Sequence, residues 1–221
     1  MLQLRHCGAV VTLLAAALGG CATAPPHKNY GVFRAENPRS ILVVPPVNSS
    51  VAVDAPDYFL TTISIPLAER GYYVFPVHAV RSVLADDGLS DANLVHAADP
   101  KRLGELFGTD AVLYISIERW DAQYVILSTT VTVQLKYLLK SAHTGQTLWD
   151  SDRTVVYSPQ GSNQGGLAGL IADAVAAAIT KAAPNYRPLA EQANTQAIDL
   201  KGIGLPAGPY SATYLKDQSD F

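Results

Sequence analysis

Two stretches of alternating residues in the second half of this chain constrain its fold more than any other feature. From Thr129 to Lys140, apolar side chains occupy every second position and mostly polar side chains lie between them. Alternation with a period of two is typical of a β-strand with one buried and one polar face. His143 to Gln146 has the composition of a turn, and Thr147 to Tyr157 that of a returning strand. The sequence therefore predicts an antiparallel β-hairpin.

Three further strands are predicted before the hairpin. Asp110 to Trp120 alternates in the same way and is expected to extend the hairpin into a meander. Ser40 to Val47 is a continuous apolar run interrupted by prolines, which suits a buried central strand that leaves the sheet at Pro45. Tyr72 to Pro76 has the composition of a short strand.

Helix start and stop signals separate these strands. Asp54 followed by Pro56 predicts a helix that continues to Arg70 and stops at Gly71. Shorter helices are expected over 77–85, 99–108 and, near the C-terminus, 189–200. The clearest helical stripe has apolar residues at three-four spacing. Its members are Leu167, Leu170, Ile171, Ala174, Val175, Ala178, Ile179 and Ala182.

The order of elements predicts an α/β chain of the α+β type. Strands and helices alternate first, and three consecutive strands follow, which favours a single mixed sheet with an antiparallel meander, covered by helices. The chain has 48% hydrophobic and 16% charged residues, as a folded protein of one ordinary domain has.

The first residues have the three parts of an export signal. Arg5 precedes an almost wholly apolar run from Cys7 to Leu18, which is shorter than the ~20 residues that span a bilayer. Gly19, Gly20 and Cys21 follow at once. The pattern predicts a lipoprotein signal peptide over 1–20, cleavage before Cys21, and acyl chains on the Cys21 thiol. An ordinary cleaved signal peptide, or a buried helix that contains a cysteine, are the alternatives.

This prediction sets the organisation of the rest of the chain. Of the two cysteines only Cys21 would remain, so an internal disulfide is excluded. Ala22 stands where an Asp would favour the inner membrane, which indicates the outer membrane and its periplasmic face. Residues 21–39 are expected to form a lipidated tether, 40–183 the globular domain, and 184–221 an extension packed on or beside it.

Charge and histidine positions argue against several functions. The net charge is −3 and the Lys and Arg residues are scattered, so nucleic acid is a poor partner. His27, His78, His96 and His143 have no spacing typical of metal ligands, so no metal or cofactor is expected.

The chain also lacks the sequence pattern of a catalytic nucleophile. Ser162 is outside any Gly-x-Ser-x-Gly motif, and carboxylates such as Glu118, Asp150 and Asp152 suit a solvated sheet face. We therefore expect no enzymatic activity. An envelope hydrolase would require Ser162, His143 and Asp152 to converge.

Two segments are candidates for binding. Gly161, Gly165 and Gly166 lie in a loop before the predicted long helix, whose amides could hold an anion or a small molecule. The loop lacks the Lys-Ser/Thr of a P-loop, and a purely structural loop is favoured. The helix face opposite the apolar stripe is flat and is a possible interface, although high helix propensity explains it equally well. Its members are Ala172, Ala176, Ala177 and Lys181.

Several longer motifs resemble one known family. They are Ile41–Asn48, Pro66–Val77, Phe107–Ile115, Thr144–Trp149 and Gly204–Tyr210. Together they resemble a family of Gram-negative lipoproteins of unknown function, and the resemblance covers nearly all of the chain beyond the tether. It implies a fold similar to the periplasmic domain of CsgG-type curli secretion lipoproteins and to the N-terminal domain of TolB.

The resemblance also implies a kind of function. Such a protein would be a non-enzymatic accessory or interaction subunit of an envelope secretion, assembly or transport system. Its partners would be the membrane, through the lipid anchor, and either a second copy of the chain or CsgG-like envelope lipoproteins. No active-site residue carries over from the resemblance.

Overall fold

A computed structural model describes residues 27–125, 128–157 and 186–221, except for the side chains at 122–125 and 128–129. The strands in these ranges are β1 (Ser40–Val43), β2 (Val47–Asn48), β3 (Tyr73–Val74), β4 (Ala111–Val125), β5 (Ser128–Ser141) and β6 (Thr147–Tyr157). The helices in the same ranges are α1 (Gly31–Glu36), α2 (Ala55–Glu69), α3 (Val77–Asp86), α4 (Ala92–Ala97), α5 (Pro100–Phe107) and α6 (Arg187–Asp199).

The strands form one mixed sheet in the order β3-β1-β4-β5-β6, with β2 also paired to β4. β1 is parallel to both of its neighbours, and β4, β5 and β6 form an antiparallel meander. The break between β1 and β2 falls at Pro45 and Pro46, which have no N–H to donate to a neighbouring strand. The predicted fold class, the buried central strand and the hairpin are thus confirmed.

The predicted helix ends follow from local chemistry. The Asp99 carboxylate accepts a hydrogen bond from the Lys101 N–H at 2.9 Å, and Gly108 ends α5 with φ of +66°. Gly71, with φ of +93°, follows the end of α2. α2 continues through Pro66 to Glu69.

The inner face of the sheet packs against α2 and α6. A β-bulge at Glu118 shifts the register of β4, so that both Ile117 and Trp120 reach this core. Inside it, the Tyr137 hydroxyl donates to Asn194 Oδ1 at 2.6 Å, and Asn194 Nδ2 donates to Thr62 Oγ1 at 2.8 Å. This polar bridge joins β5, α6 and α2 at the centre of the apolar layer.

The outer face of the sheet is covered over β1 and the first part of β4. There a second core includes Leu42 and Val112 from the strands, and Val80, Val95 and Leu103 from α3, α4 and α5. The outward-pointing residues of β5 and β6 are mostly polar and exposed, and we call this surface the hairpin outer face. Its members are Gln134, Lys136, Asp150, Asp152, Thr154 and Val156.

The chain after α6 wraps around Arg70 in a cluster that we call the C-terminal clamp. Arg70 Nε donates to the Leu205 carbonyl at 2.6 Å, and Arg70 Nη2 lies 3.1 Å from Asp217 Oδ2. The Arg70 guanidinium also lies over the Phe221 ring, 4.5 Å from its centre. Gly208 contacts Gly71 so closely that an added Cβ would overlap the Gly71 carbonyl.

The structure differs from the sequence prediction at both ends of the domain. Part of the predicted tether over 21–39 is folded, because α1 lies within it and Tyr30 and Phe33 are buried in the inner core. The Lys28 N–H already donates to the Gly202 carbonyl at 2.7 Å. The predicted extension over 184–221 supplies α6 to the same core rather than packing outside it. α4, which the sequence analysis did not predict, begins at a capping residue, Asp91.

Within the described ranges, the helices are too short or too polar to cross a lipid bilayer.

Candidate functional site

Most residues singled out by the sequence analysis lie outside the described residues. This holds for the predicted lipidation site Cys21. It holds as well for the possible anion loop (Gly161, Gly165 and Gly166), and for Ser162. The possible interface residues Ala172, Ala176, Ala177 and Lys181 lie in the same undescribed range, 158–185.

His143 does not meet Asp152 as a hydrolase would require. Instead, His143 Nε2 lies 3.3 Å from Asp110 Oδ1, while Asp110 Oδ2 accepts hydrogen bonds from the Arg39 and Ser40 N–H groups and the Ser40 hydroxyl. In a Ser-His-Asp triad the histidine lies between the other two groups, whereas the carboxylate is central in this cluster. Asp110 thus connects the start of β1 to the β5–β6 turn.

These hydrogen bonds also set the acidity of Asp110. Burial raises the pKa of the Asp110 carboxyl, but donors from Arg39, His143 and Ser40 outweigh burial and hold it below its usual value. Among the described residues, no group of three or more His, Cys, Asp or Glu side chains is close enough to hold a metal ion.

A cavity of about 350 Å³ lies between α4 and the hairpin outer face, and we call it the outer cleft. It has two rows of side chains that the strand register places side by side across β4, β5 and β6. One row is Tyr114, Leu138 and Asp150, and the other is Ser116, Lys136 and Asp152. His96, from α4, also lines the cleft.

Tyr114 is the most constrained side chain of the outer cleft. It is only 6% exposed, and its hydroxyl has no hydrogen-bond partner among the described residues. Burial, with a smaller contribution from the negative charge of Asp99, raises the pKa of Tyr114 to about 12. Its ring meets the His96 ring edge to face, with centres 5.2 Å apart. Tyr114 therefore lines the cleft with a side chain whose buried hydroxyl is uncharged and has no partner among the described residues.

His96 is held in place by a main-chain contact. Its Nε2 lies 3.1 Å from the Pro45 carbonyl, at the point where the chain leaves β1. Burial lowers the pKa of the His96 imidazole, although the contact with Pro45 opposes this. A carbonyl can only accept a hydrogen bond, so Nε2 carries the proton in the neutral ring.

The outer cleft contains charges of both signs. Lys28 Nζ donates to Asp150 at 2.9 Å, and Lys136 Nζ lies 3.4 Å from Glu118. Lys140 Nζ lies 6.0 Å from the centre of the Tyr114 ring. Asp152 is exposed, and among the described residues its carboxylate makes no ion pair. The arrangement suits a ligand that carries both charges better than one that carries a single charge.

The sequence pattern places the carboxylates at 118, 150 and 152 on a solvated face and does not predict the cleft. One wall includes His96 of α4, a helix that ends at Ala97, 31 residues before the hairpin begins at Ser128. The one available signal was Tyr114, an aromatic residue on the face of β4 that alternates with the core positions.

Comparison with known proteins agrees with the lipoprotein resemblance. Residues 28–210 match the model of the family described as "Putative lipoprotein GNA1162-like". The chain is 37% identical over 160 residues to "Putative lipoprotein NMB1124/NMB1162" of Neisseria meningitidis serogroup B, covering 72% of this chain and 74% of the relative.

Solved structures extend the comparison to the fold. The crystal structure of lipoprotein GNA1162 from Neisseria meningitidis matches with a TM-score of 0.55 at 37% identity, over 64% of this chain and 98% of that one. The PelC dodecamer from Paraburkholderia phytofirmans has a TM-score of 0.40 at 16% identity, over 76% and 93%, which is too low to indicate a shared role. The chain belongs to the GNA1162-like lipoprotein family.

Proposed function

We propose that this protein is anchored by acyl chains on Cys21 to the periplasmic face of the outer membrane. In that position it acts as a non-enzymatic accessory or interaction subunit of an envelope secretion, assembly or transport system. Family membership and the cysteine after the export signal support the anchor. The observation that carries the interaction role is the hairpin outer face, which is exposed beside a part of the sheet that helices cover.

The hairpin outer face has the composition of an interaction surface. It combines the charged residues Lys136, Asp150 and Asp152 with an apolar residue, Val156, that is 56% exposed. Within the described ranges β6 pairs only with β5, so it is an edge strand. An edge strand can add a strand from a partner through main-chain hydrogen bonds.

A CsgG-like envelope lipoprotein is the partner that the sequence motifs favour, with a second copy of this chain as the other candidate. The expected similarity to CsgG-type and TolB domains rests on those motifs alone. The small-residue helix face with Ala172, Ala176, Ala177 and Lys181 remains a second candidate interface.

The lipid anchor is tested by a Cys21→Ala variant, with Cys7→Ala as the matched control. Cys7 lies within the predicted signal peptide, so its loss should leave processing and detergent-phase partitioning unchanged. Cys21→Ala should abolish both acylation, measured by mass spectrometry, and partitioning into the detergent phase. Acylation that persists in Cys21→Ala would contradict the anchor.

The partner surface is tested by photo-crosslinking in intact cells. A crosslinking residue at Thr154 or Val156 should yield one discrete adduct, and one at Val83 on α3 should yield none. An adduct with a CsgG-like lipoprotein supports the subunit role, and one of twice the mass of the chain supports a homodimer. Equal adducts from Val83 and Val156, or none from either strand position, would exclude the hairpin outer face.

The alternative function, small-molecule or anion binding, gains one observation. The Gly161–Gly166 loop lies outside the described residues and adds nothing to it. The outer cleft does support binding of a small ligand, and it leads to a more specific proposal.

A further inference from the structure

We propose that the outer cleft binds a small zwitterion, an amino acid or a dipeptide, with its carboxylate at Lys136 and its ammonium group at Asp152. This proposal does not depend on the lipid anchor. Lys136 and Asp152 also belong to the hairpin outer face, but binding of a small ligand is measured on the protein alone, without a partner.

The size of the cavity limits the ligand. Binding sites for small molecules typically have volumes of about 300–1,000 Å³, and the outer cleft, at about 350 Å³, is at the lower end of that range. It therefore suits an amino acid or a dipeptide, and it is too small for a larger cofactor.

The Tyr114 hydroxyl indicates that the cleft is built for a polar group. A buried hydroxyl usually has a hydrogen-bond partner, because water can no longer satisfy it. Tyr114 lines the cleft and is only 6% exposed, yet its hydroxyl has no hydrogen-bond partner among the described residues. A ligand carboxylate would accept the missing hydrogen bond, and the nearby Ser116 hydroxyl is a second donor on the same strand.

The strand register places the two charged residues side by side. Lys136 and Asp152 are directly opposite one another on β5 and β6, and neighbouring strands lie about 4.8 Å apart. Lys136 has three N–H donors, so its contact with Glu118 at 3.4 Å leaves donors for a ligand. Asp150 is already paired with Lys28, whereas the Asp152 carboxylate is exposed and makes no ion pair among the described residues.

Apart from Asp150, which is paired with Lys28, the remaining wall of the cleft is apolar or neutral. Leu138 lies between Tyr114 and Asp150 in the register, and the His96 ring faces it from α4. A small aliphatic side chain on the ligand would contact these groups. This favours alanine-like residues over large or charged ones.

The test uses dialanine and two blocked forms, titrated calorimetrically into the full-length protein in detergent. N-acetyl-dialanine lacks the ammonium group, and dialanine amide lacks the carboxylate. We expect dialanine to bind and each blocked form to bind at least about tenfold more weakly, as loss of one charged hydrogen bond predicts. Absence of dialanine binding, or equal affinity for all three compounds, would overturn the proposal.

Variants assign each charge to its residue. Asp152→Asn should weaken the binding of dialanine about tenfold, and dialanine and N-acetyl-dialanine should then bind with nearly equal affinity. Lys136→Gln should likewise weaken dialanine about tenfold, and dialanine and dialanine amide should then bind nearly equally. Tyr114→Phe should weaken the binding of dialanine, but dialanine should still bind more tightly than its acetylated and amidated forms by the same factors. Thr154→Ala, on the same strand face but outside the cleft lining, should bind as the unchanged protein does.

Each variant is first checked for an unchanged melting temperature, so that a loss of binding is not a loss of folding. Dialanine binding that is the same in Asp152→Asn, Lys136→Gln and Thr154→Ala would place the ligand elsewhere and refute the site. These results do not depend on acylation or crosslinking, so failure of this proposal is distinguishable from failure of the proposed function.

Discussion

A single amide side chain organises the centre of the inner core. Asn194 is fully buried, and both ends of its amide group are used, one by Tyr137 and the other by Thr62. Burying polar groups is costly unless their hydrogen bonds are satisfied. The bridge therefore favours the one packing of β5, α6 and α2 in which all three residues meet. No periodicity in the sequence predicts this pairing, because the three residues come from α6, β5 and α2.

Asn194→Ala should lower the free energy of unfolding by about 2 kcal/mol or more, since it leaves the buried Tyr137 hydroxyl without a partner. The Thr62 hydroxyl loses one hydrogen bond but still donates to the Phe59 carbonyl at 2.6 Å. Chemical denaturation measures the change. The control is Asn93→Ala on the exposed surface of α4, which we expect to stay within about 0.5 kcal/mol of the unchanged protein. A loss no larger in Asn194→Ala than in Asn93→Ala would show that the bridge contributes no stability.

Asp110 makes the free energy of unfolding depend on pH in the acid range. Its pKa is lowered in the folded protein, so its contribution is present above the unfolded value of about 4 and is lost as the pH falls through the folded value. Asp110→Asn should therefore melt at a lower temperature than the unchanged protein at pH 7, and the difference should narrow at acid pH. Melting curves from pH 7 to 2.5 test this, and a constant difference would contradict it.

At the scale of elements, the segments with a long pattern or clear capping signals were predicted, whereas α1 and α4 were not. β4, β5, β6 and α2 have enough alternating or capped positions for the pattern to be read. α1 and α4 have six residues each, fewer than two helical turns, so periodicity cannot reveal them. α1 also occurs in a polar, proline-containing stretch. Its tertiary contacts include the buried side chain of Phe33 and a hydrogen bond that Glu36 accepts from the Ser141 hydroxyl.

The motif from Gly204 to Tyr210 is explained by the contact between two segments. Gly208 fits against Gly71, and its N–H donates to the Arg70 carbonyl at 2.9 Å. Tyr72 donates from its hydroxyl to the Pro206 carbonyl at 2.6 Å. A family resemblance was visible in these residues, but their structural role became clear only from the packing.

Gly208→Ala should destabilise the protein by about 2–3 kcal/mol, because the new methyl group overlaps the Gly71 carbonyl and the two segments must separate. Gly88→Asn is the control. A Cβ at Gly88 meets no atom within 4 Å, and Asn tolerates its positive φ better than most residues. Equal effects of the two substitutions, measured by denaturation, would argue against close packing at Gly208.

At the scale of the whole molecule, both ends of the described chain belong to one folding unit. Tyr30 donates from its hydroxyl to the Gly204 carbonyl at 2.6 Å, and Arg34 donates to the Phe221 main-chain oxygen. Arg70 and Asp217 form a largely buried ion pair between them. Such a pair destabilises strongly when one partner is removed, because the other charge stays buried.

Ending the chain after Leu200 should abolish cooperative unfolding, since it removes Asp217 and exposes Tyr30, Tyr72 and Arg70. Removing residues 1–26 instead should leave the melting temperature nearly unchanged. Calorimetry of the two shortened chains distinguishes these outcomes. A sharp transition in the chain that ends at Leu200 would show that the C-terminal clamp is dispensable for folding.

If Cys21 carries the proposed acyl chains, the early entry of the chain into the fold limits how far the body can move from the bilayer. Because the main chain is already hydrogen-bonded at Lys28, only about seven residues separate it from an acylated Cys21. Fully extended, these residues reach roughly 25 Å, less than half the reach of a tether that continued to residue 39. A molecule anchored in this way would meet its neighbours close to the lipid surface, so a complex that it joins would assemble there.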